Sequence, residues 1–395
     1  MSTALAVPLP AELERLALEP GRMIPGHRLH WLFGGAMAYP AMLEAIASAR
    51  EEILLESYIW ASDTNGRRFV DAVCIKAQEG VRVRCVIDGA GSFGFSGDDL
   101  ARMRRAGVLL SIFHPVGPWR RRWGWQVRDH RKLLIIDGRV AFCGGMNLAD
   151  DYAPRDWGGR DWNDVHAKVE GPVLHELARL FEQSFRYAEA ETWEPGAPAA
   201  RVRLPEPPAI HGSPTRAQAL AVGRFLNRRS IQHHLQHAIA AAKERIWIEA
   251  AYFIPNRPLR GALRRAARRG VDVRIITPRH SDIPFLNYAS QSTWAVLLKD
   301  GVRLFEWLPG MLHAKTISVD GAWCTVGSYN LDSRSLLYNW EVTLAVLDPR
   351  MAEELEDKFR DDLDRCEQVD RAEWKRRGVL QRLYEKVFYF FRVWL

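Results

Sequence analysis

Residues 130–147 read HRKLLIIDGRVAFCGGMN, and residues 313–330 read HAKTISVDGAWCTVGSYN. Each stretch holds His-x-Lys, an Asp seven positions after the His, a Gly directly after that Asp, and an Asn seventeen positions after the His. The three residue types recur at one offset, since 313 − 130, 320 − 137 and 330 − 147 all equal 183. An imidazole can act as general acid, general base or nucleophile. A compact ammonium can sit beside a phosphoryl oxygen in a way a planar guanidinium does not replace. The chain holds only nine Lys against 46 Arg, so Lys132 and Lys315 stand out as chosen.

The spacing gives these residues a geometry. His130 and Lys132 are two apart on an apolar strand and share one face, as do His313 and Lys315. Asp137-Gly138 and Asp320-Gly321 are dipeptides of a tight hairpin turn. Folding back at the turns sets His130 opposite roughly Gly145, with Asn147 just beyond, and His313 opposite roughly Ser328, with Asn330 beyond. Seven strand residues span about 23 Å, so Asp137 and Asp320 belong to the turns and stand far from the imidazoles. The plain alternative is a buried His beside a snorkelling Lys, copied by gene duplication. A core has no need for two polar groups on one strand face, which argues against it.

The surrounding elements repeat as well. AMLEAIASAREEILLESYIW in the first half matches HHLQHAIAAAKERIWIEAAYFIP in the second, a helical run feeding an apolar strand. Gly80-Val and Gly270-Val each open a further strand, and Gly107-Val and Gly301-Val another. Alternating helix and β-branched strand patterns predict α/β units on mixed, mostly parallel sheets. The reading is two similar α/β/α lobes, related by a pseudo-two-fold, with a shared cleft at the lobe interface. The prolines of WEPGAPAARVRLPEPPAIHGSP forbid a helix or central strand and mark a linker. The expected divisions are 1–192, a linker at 193–215, 216–370, and a C-terminal segment 371–395.

Composition bounds the rest. The chain has 395 residues, 47% hydrophobic and 26% charged, which excludes a disordered or collagen-like chain. A net charge of +7 favours anionic partners. The five cysteines are scattered, odd in number and without CxxC spacing, so a disulfide framework and a cysteine zinc site are not expected. The first residues lack a basic stretch followed by an apolar one, so a secretory signal is not expected, and with no run of 18 apolar residues membrane contact is expected to be peripheral.

With both motifs in hand, the chain resembles the phospholipase D superfamily, whose signature is His-x-Lys-x4-Asp followed by Gly-Gly/Ser-x-Asn. The resemblance covers both halves. DHRKLLIIDGRVAFCGGMNLADDY, DWNDVHAKVEGP, EAAYFIP and LDSRSLLYNWEVTL look like the bacterial cardiolipin synthase branch, of the short type without N-terminal transmembrane helices. Asn163 departs from that branch, which commonly has Arg there, while Trp162, Asp164 and His166 are kept. The resemblance implies a two-step displacement at phosphorus through a phosphohistidine. Its catalytic set is His130, Lys132 and Asp137 with His313, Lys315 and Asp320, although the spacing assigns the two aspartates to turns. His130 is expected as nucleophile and His313 as general acid and base. Lys132, Lys315, Asn147 and Asn330 are expected on phosphate oxygens. Asp164 follows His130 by 34 residues and Glu341 follows His313 by 28, which makes them the acidic candidates for orienting the imidazoles. The expected pairing is crossed, Glu341 with His130 and Asp164 with His313. With two lysines in place the chemistry needs no cofactor or metal.

The substrate reading combines two features. Trp119, Trp123 and Trp125 lie among arginines just before His130, a mixture suited to lipid phosphates at an interface and also to stacked bases. In GVLQRLYEKVFYFFRVWL, Val379, Leu383, Val387, Phe390, Phe391 and Trp394 fall near helical spacing, with Arg382, Lys386 and Arg392 between them. A basic aromatic amphipathic helix reads as interfacial. These features and the resemblance favour phosphatidylglycerol and other anionic phospholipids over nucleic acid. The expected place is the cytoplasmic face of a bacterial inner membrane, bound peripherally. The competing readings are a lipid hydrolase, a nuclease with the same two-histidine chemistry, and a silent membrane scaffold. The amino acids alone do not set the oligomeric state. His233, His234 and His237 are expected to face solvent, Trp162 and His166 to pack or line the cleft, and the Gly-rich stretch 88–99 to be a flexible connection.

Overall fold

The computed structural model describes residues 10–116, 126–191, 201–223 and 226–393. Trp119, Trp123, Trp125, Trp394 and the linker residues 193–200 lie outside the described residues. The chain forms two compact units. The unit carrying His130 comprises Ile24–Thr215 together with Asn339–Val342. The unit carrying His313 comprises Met1–Met23, Arg216–Tyr338 and Thr343–Leu395. The boundary at Thr215 falls at the end of the Pro-rich stretch, and a four-residue segment far along the chain joins the first unit.

In the His130 unit one sheet runs, edge to edge, Arg28–Phe33, Val165–Glu170, Val140–Gly144, Leu133–Ile136, Glu52–Ser57, Arg82–Asp88, Leu109–Phe113. Helices Gly35–Ser48, Thr64–Gln78 and Gly97–Arg105 cover one face, and Val173–Glu189 covers the other. Both faces are therefore apolar, and strands such as Glu52–Ser57 are buried along their whole length. Asp63 and Ser96 cap their helices, each side chain accepting from a backbone N–H three residues on.

The His313 unit repeats the order: Arg216–Val222, Glu341–Leu347, Trp323–Gly327, Lys315–Val319, Arg245–Ala250, Asp272–Pro278, Arg303–Trp307. Cys366–Gln368 adds an antiparallel edge to Arg303–Trp307. Helices Ser230–Ala241, Arg257–Arg268 and Pro284–Lys299 pack on one face and Pro349–Leu363 on the other. The same strand order in both units is the structural form of the repeat in the sequence.

The sheets are mixed, but antiparallel pairs outnumber parallel ones. In the His130 unit only Glu52–Ser57 with Arg82–Asp88, and Arg82–Asp88 with Leu109–Phe113, run parallel. The motif strand and its neighbours run antiparallel because an Asp-Gly turn folds one straight back on the next. Asp137 and Gly138 both take positive φ, 52° and 64°, and Asp320 and Gly321 take 52° and 57°. Ile136 pairs with Val140 and Val319 with Trp323, so each loop has three residues and the register is shifted by one from the expected pairing.

Three further points concern local structure. Helix Pro349–Leu363 ends before the Cys366–Gln368 strand, and Arg371–Arg376 follows as a separate helix. The Gly-rich stretch opens in a turn held by Asp88, whose Oδ1 accepts from Ala90 N–H (2.8 Å) and Gly91 N–H (2.9 Å). His234 is buried, with Nδ1 2.8 Å from the Ser230 carbonyl, and His237 Nε2 lies 2.9 Å from the Arg15 carbonyl; only His233 is exposed.

Candidate active site

In the His130 unit, His130 and Lys132 sit immediately before the Leu133–Ile136 strand and are buried. The Lys132 ammonium donates to the His130 carbonyl (2.7 Å) and lies 5.2 Å from the centre of the Tyr58 ring. That ring meets the His130 imidazole edge-on at 4.9 Å. Glu341 Oε2 lies 3.0 Å from His130 Nδ1, and Glu341 Oε1 accepts from Asn339 Nδ2 (3.2 Å). Glu341 is wholly buried, in the segment Asn339–Val342 that belongs to this unit. The backbone brings it there: Trp340 N–H donates to the Arg128 carbonyl (2.8 Å), and His130 N–H donates to the Trp340 carbonyl (2.9 Å). A carboxylate on Nδ1 fixes the proton there and leaves the lone pair on Nε2.

Asp164 is also buried in this unit, its Oδ1 accepting from Val165 N–H (2.7 Å). Gly145 makes room for it, since a Cβ there would meet Asp164 Oδ1 at 2.3 Å. His166 packs behind Gly144 and accepts weakly from Met146 N–H (3.4 Å). Burial pushes the His166 imidazole down to about 4; the nearby Asp164 carboxylate works against that and the Lys132 ammonium adds to it. His166 is therefore neutral and packs in the interior, while Trp162 is half-buried against Tyr152 at 5.2 Å.

In the His313 unit, Lys315 opens its strand and its ammonium lies 2.7 Å from His313 Nδ1 and 3.1 Å from Nε2. The same ammonium donates to the His313 carbonyl. Tyr252 stands edge-on to His313 at 6.1 Å, the counterpart of Tyr58. Asn330 is buried, its N–H donating to Ser335 Oγ (3.2 Å), and its Oδ1 has no hydrogen-bond partner among the described residues.

Two sets of expected residues are placed otherwise. Asp137 accepts from the N–H groups of Arg50 (2.9 Å), Glu51 (2.8 Å) and Glu52 (2.8 Å). Asp320 accepts from Lys243 (2.9 Å), Glu244 (2.8 Å) and Arg245 (3.0 Å), and from the Arg15 guanidinium (2.7 Å). Both aspartates tie the turn to the start of the neighbouring strand. Partial burial pushes the Asp137 carboxyl up, but its three backbone donors outweigh this and hold it below the ordinary value. Asn147 is the second. Its Nδ2 donates to the Tyr152 hydroxyl (2.7 Å) and its Oδ1 accepts from Ile59 N–H (3.1 Å), so the amide braces a loop.

The sequence reading passed over Tyr58, Tyr252 and a pair of buried glutamates. Glu56 and Glu249 lie opposite Leu133 and Thr316, the residues directly after each motif lysine. Burial raises both; Glu249 is pushed up to about 8, against the Lys358 ammonium and with the Asp362 carboxyl adding to the rise. The signal was in plain sight, because ESYIW and EAAYFIP close equivalent strands with Glu and Tyr. Among the described residues no group of three or more His, Cys, Asp or Glu could hold a metal ion.

Paired His-Lys sets on two lobes with one strand order define a phospholipase D-like fold, and comparison with known proteins agrees. The chain matches the family described as cardiolipin synthase, PLD-like domain, over residues 42–186 and 235–363. It belongs to the phospholipase D superfamily, in its cardiolipin synthase branch. A probable cardiolipin synthase, YwiE, of Bacillus subtilis (strain 168) is 32% identical, with 90% of this chain and 69% of that protein covered. Cardiolipin synthase A of Pseudomonas fluorescens (strain SBW25) is 33% identical over 93% of this chain and 75% of its own length. A phosphatidylserine synthase of Haemophilus influenzae Rd KW20 shares the fold, with a TM-score of 0.71 at 14% identity over 96% of this chain and 97% of that one. No helix among the described residues is long and apolar enough to cross a membrane.

Proposed function

We propose that the protein is a phosphatidyltransferase that makes cardiolipin and glycerol from two molecules of phosphatidylglycerol. Family membership supports the reaction class, and the Glu341 carboxylate on His130 Nδ1 carries the assignment of roles. In the first step His130 Nε2 attacks phosphorus and the P–O bond to the glycerol headgroup breaks. His313 gives its proton to the departing alkoxide. In the second step a hydroxyl of the other phosphatidylglycerol loses its proton to His313 and attacks the same phosphorus. The P–N bond breaks and His130 is restored. Lys132, Lys315 and Asn330 hold the non-bridging oxygens, and Asp164 is the carboxylate partner of His313. Splitting one substitution into two lets one imidazole serve first as nucleophile and then as leaving group, while His313 protonates the departing glycerol oxygen.

The same reading places the enzyme peripherally on an anionic membrane, at the cytoplasmic face. Its support is the C-terminal helix Val379–Phe390, which exposes Val379, Leu380, Leu383, Val387 and Phe390 together with Arg382 and Lys386. The purified protein, mixed with phosphatidylglycerol vesicles, should release glycerol and cardiolipin in equal amounts. Phosphatidic acid as the main product would make it a hydrolase. Cleaved DNA with inert lipid would make it a nuclease.

A further inference from the structure

The residue between His130 and Lys132 is Arg131, and it points away from both, as alternation along an extended chain requires. It is fully buried, a costly place for a guanidinium. Its contacts explain the position. Nη1 donates to the Leu180 carbonyl (3.0 Å) and to Ser184 Oγ (3.1 Å), both on helix Val173–Glu189. Nε reaches the backbone carbonyl of Glu341 (3.4 Å), and the guanidinium lies 5.2 Å from the centre of the Trp340 ring. The Trp340 ring is boxed by Phe113 and Tyr187, each at 5.0 Å. Glu56 and Asp129, two buried carboxyls close enough to share a hydrogen bond, face the same guanidinium and offset its charge.

We infer that Arg131 and Trp340 are positioning residues for phosphoryl transfer: together they clamp the segment Asn339–Val342 so that the Glu341 carboxylate stays on His130 Nδ1. The segment is held at three points. Its backbone bridges to Arg128 and His130, its indole fills an aromatic box, and its Glu341 carbonyl meets the Arg131 fork. A lysine at 131 would keep the charge but could not reach the helix and the segment at once. The second motif has Ala314 in the equivalent place, so this clamp serves His130 alone. The asymmetry fits unequal tasks. The histidine that carries phosphorus needs a fixed tautomer both when it attacks and when it leaves.

The inference rests on His130 being the nucleophile, and its test separates the two ideas. Arg131→Lys should lower kcat for cardiolipin formation about 10- to 100-fold, the scale of a misplaced catalytic group, with KM for phosphatidylglycerol within about twofold. The double variant Arg131→Lys/Glu341→Gln should be no slower than Glu341→Gln alone by more than about threefold, because both act through one carboxylate. Protein with 15N-labelled histidine gives a readout without substrate: His130 should hold its proton on Nδ1 in the parent and become a tautomer mixture in Arg131→Lys. Losses that multiply in the double variant, a loss confined to KM, or an unchanged tautomer would overturn the clamp. If Arg131→Lys does not unfold cooperatively, Trp340→Phe carries the test with the same expectations. Full activity in His130→Ala would remove the nucleophile assignment instead, whatever the tautomer does.

Discussion

Glu341 Oε2 stands 3.0 Å from His130 Nδ1 although 211 positions separate the two residues. A neutral imidazole donates through one nitrogen and offers a lone pair at the other, and this contact decides which. Glu341→Gln keeps the size and removes the charge. Its kcat for phosphatidyl transfer should fall on the order of 10²- to 10⁴-fold, as when a catalytic histidine loses its orienting carboxylate. His130→Ala and His313→Ala should each abolish cardiolipin formation. Substantial turnover by either alanine variant would remove the two-histidine mechanism.

The motif aspartates make the opposite prediction. Asp137 accepts three backbone N–H groups at the strand start and lies at the turn. Asp137→Ala should lower stability by about 1–3 kcal/mol, since hydrogen bonds to a charged group are strong but this one is partly exposed. The kcat of the folded fraction should stay within about twofold of the parent. A large loss of kcat at unchanged melting temperature would return Asp137 to the chemistry.

Much of this was legible in the chain because it is written twice. The 183-residue offset fixed the His, Lys and turn positions, and Asp-Gly announced the positive φ values that the turns take. Strand direction was legible only in part. The Gly-Val strands Arg82–Asp88 and Leu109–Phe113 do run parallel to each other, and Asp-Gly announced the fold-back after the motif strand, but nothing local told that the motif strand pairs antiparallel with Glu52–Ser57. The partners of Asn147, Ile59 and Tyr152, were not legible for a different reason: they are known only once the loop around it is folded. Arg131 was hidden among 46 arginines, and burial is what marks it.

Two histidines outside the chemistry set a pH dependence. His27 is buried, with Nε2 accepting from Val173 N–H (3.0 Å), and burial pushes it down to about 4 against the pull of the Thr215 carbonyl. His166 is pushed to about 4 likewise, by burial first. In the unfolded chain both titrate near 6.5. Between pH 6.5 and 4 the unfolded chain therefore binds more protons, and stability rises with pH across that window. The contribution is complete above pH 6.5 and lost as pH falls toward 4. Each histidine is worth about 3 kcal/mol on this account. His27→Gln keeps an acceptor for Val173 and cannot titrate. Its denaturation midpoint should change less between pH 7 and pH 5 than the parent's, and an equal change in both would refute the assignment.

The C-terminal helix turns one charge, Glu385, inward and an apolar side out. Glu385 is buried and pairs with Arg377 at 2.6 Å and 2.8 Å, while Leu380, Leu383 and Phe390 are 63%, 53% and 74% exposed. The docked side is aromatic: Phe388 stacks on Phe285 at 5.8 Å and on Tyr288 at 5.7 Å, and Arg260 donates to the Tyr389 hydroxyl (3.2 Å). Removing the helix would uncover Phe285 and Tyr288, so substitution tests the surface more cleanly than deletion. An exposed apolar stripe flanked by Arg382 and Lys386 suits the boundary between headgroups and acyl chains. Replacing Leu380, Leu383, Val387 and Phe390 by Ser removes contacts worth about 1.5–3 kcal/mol each when fully buried. Co-sedimentation with phosphatidylglycerol vesicles should weaken at least tenfold, with the melting temperature nearly unchanged because these side chains face outward. Turnover on phosphatidylglycerol dispersed in detergent should survive, since His130 and His313 are untouched. Undiminished vesicle binding by the four-fold variant would show that another surface meets the lipid.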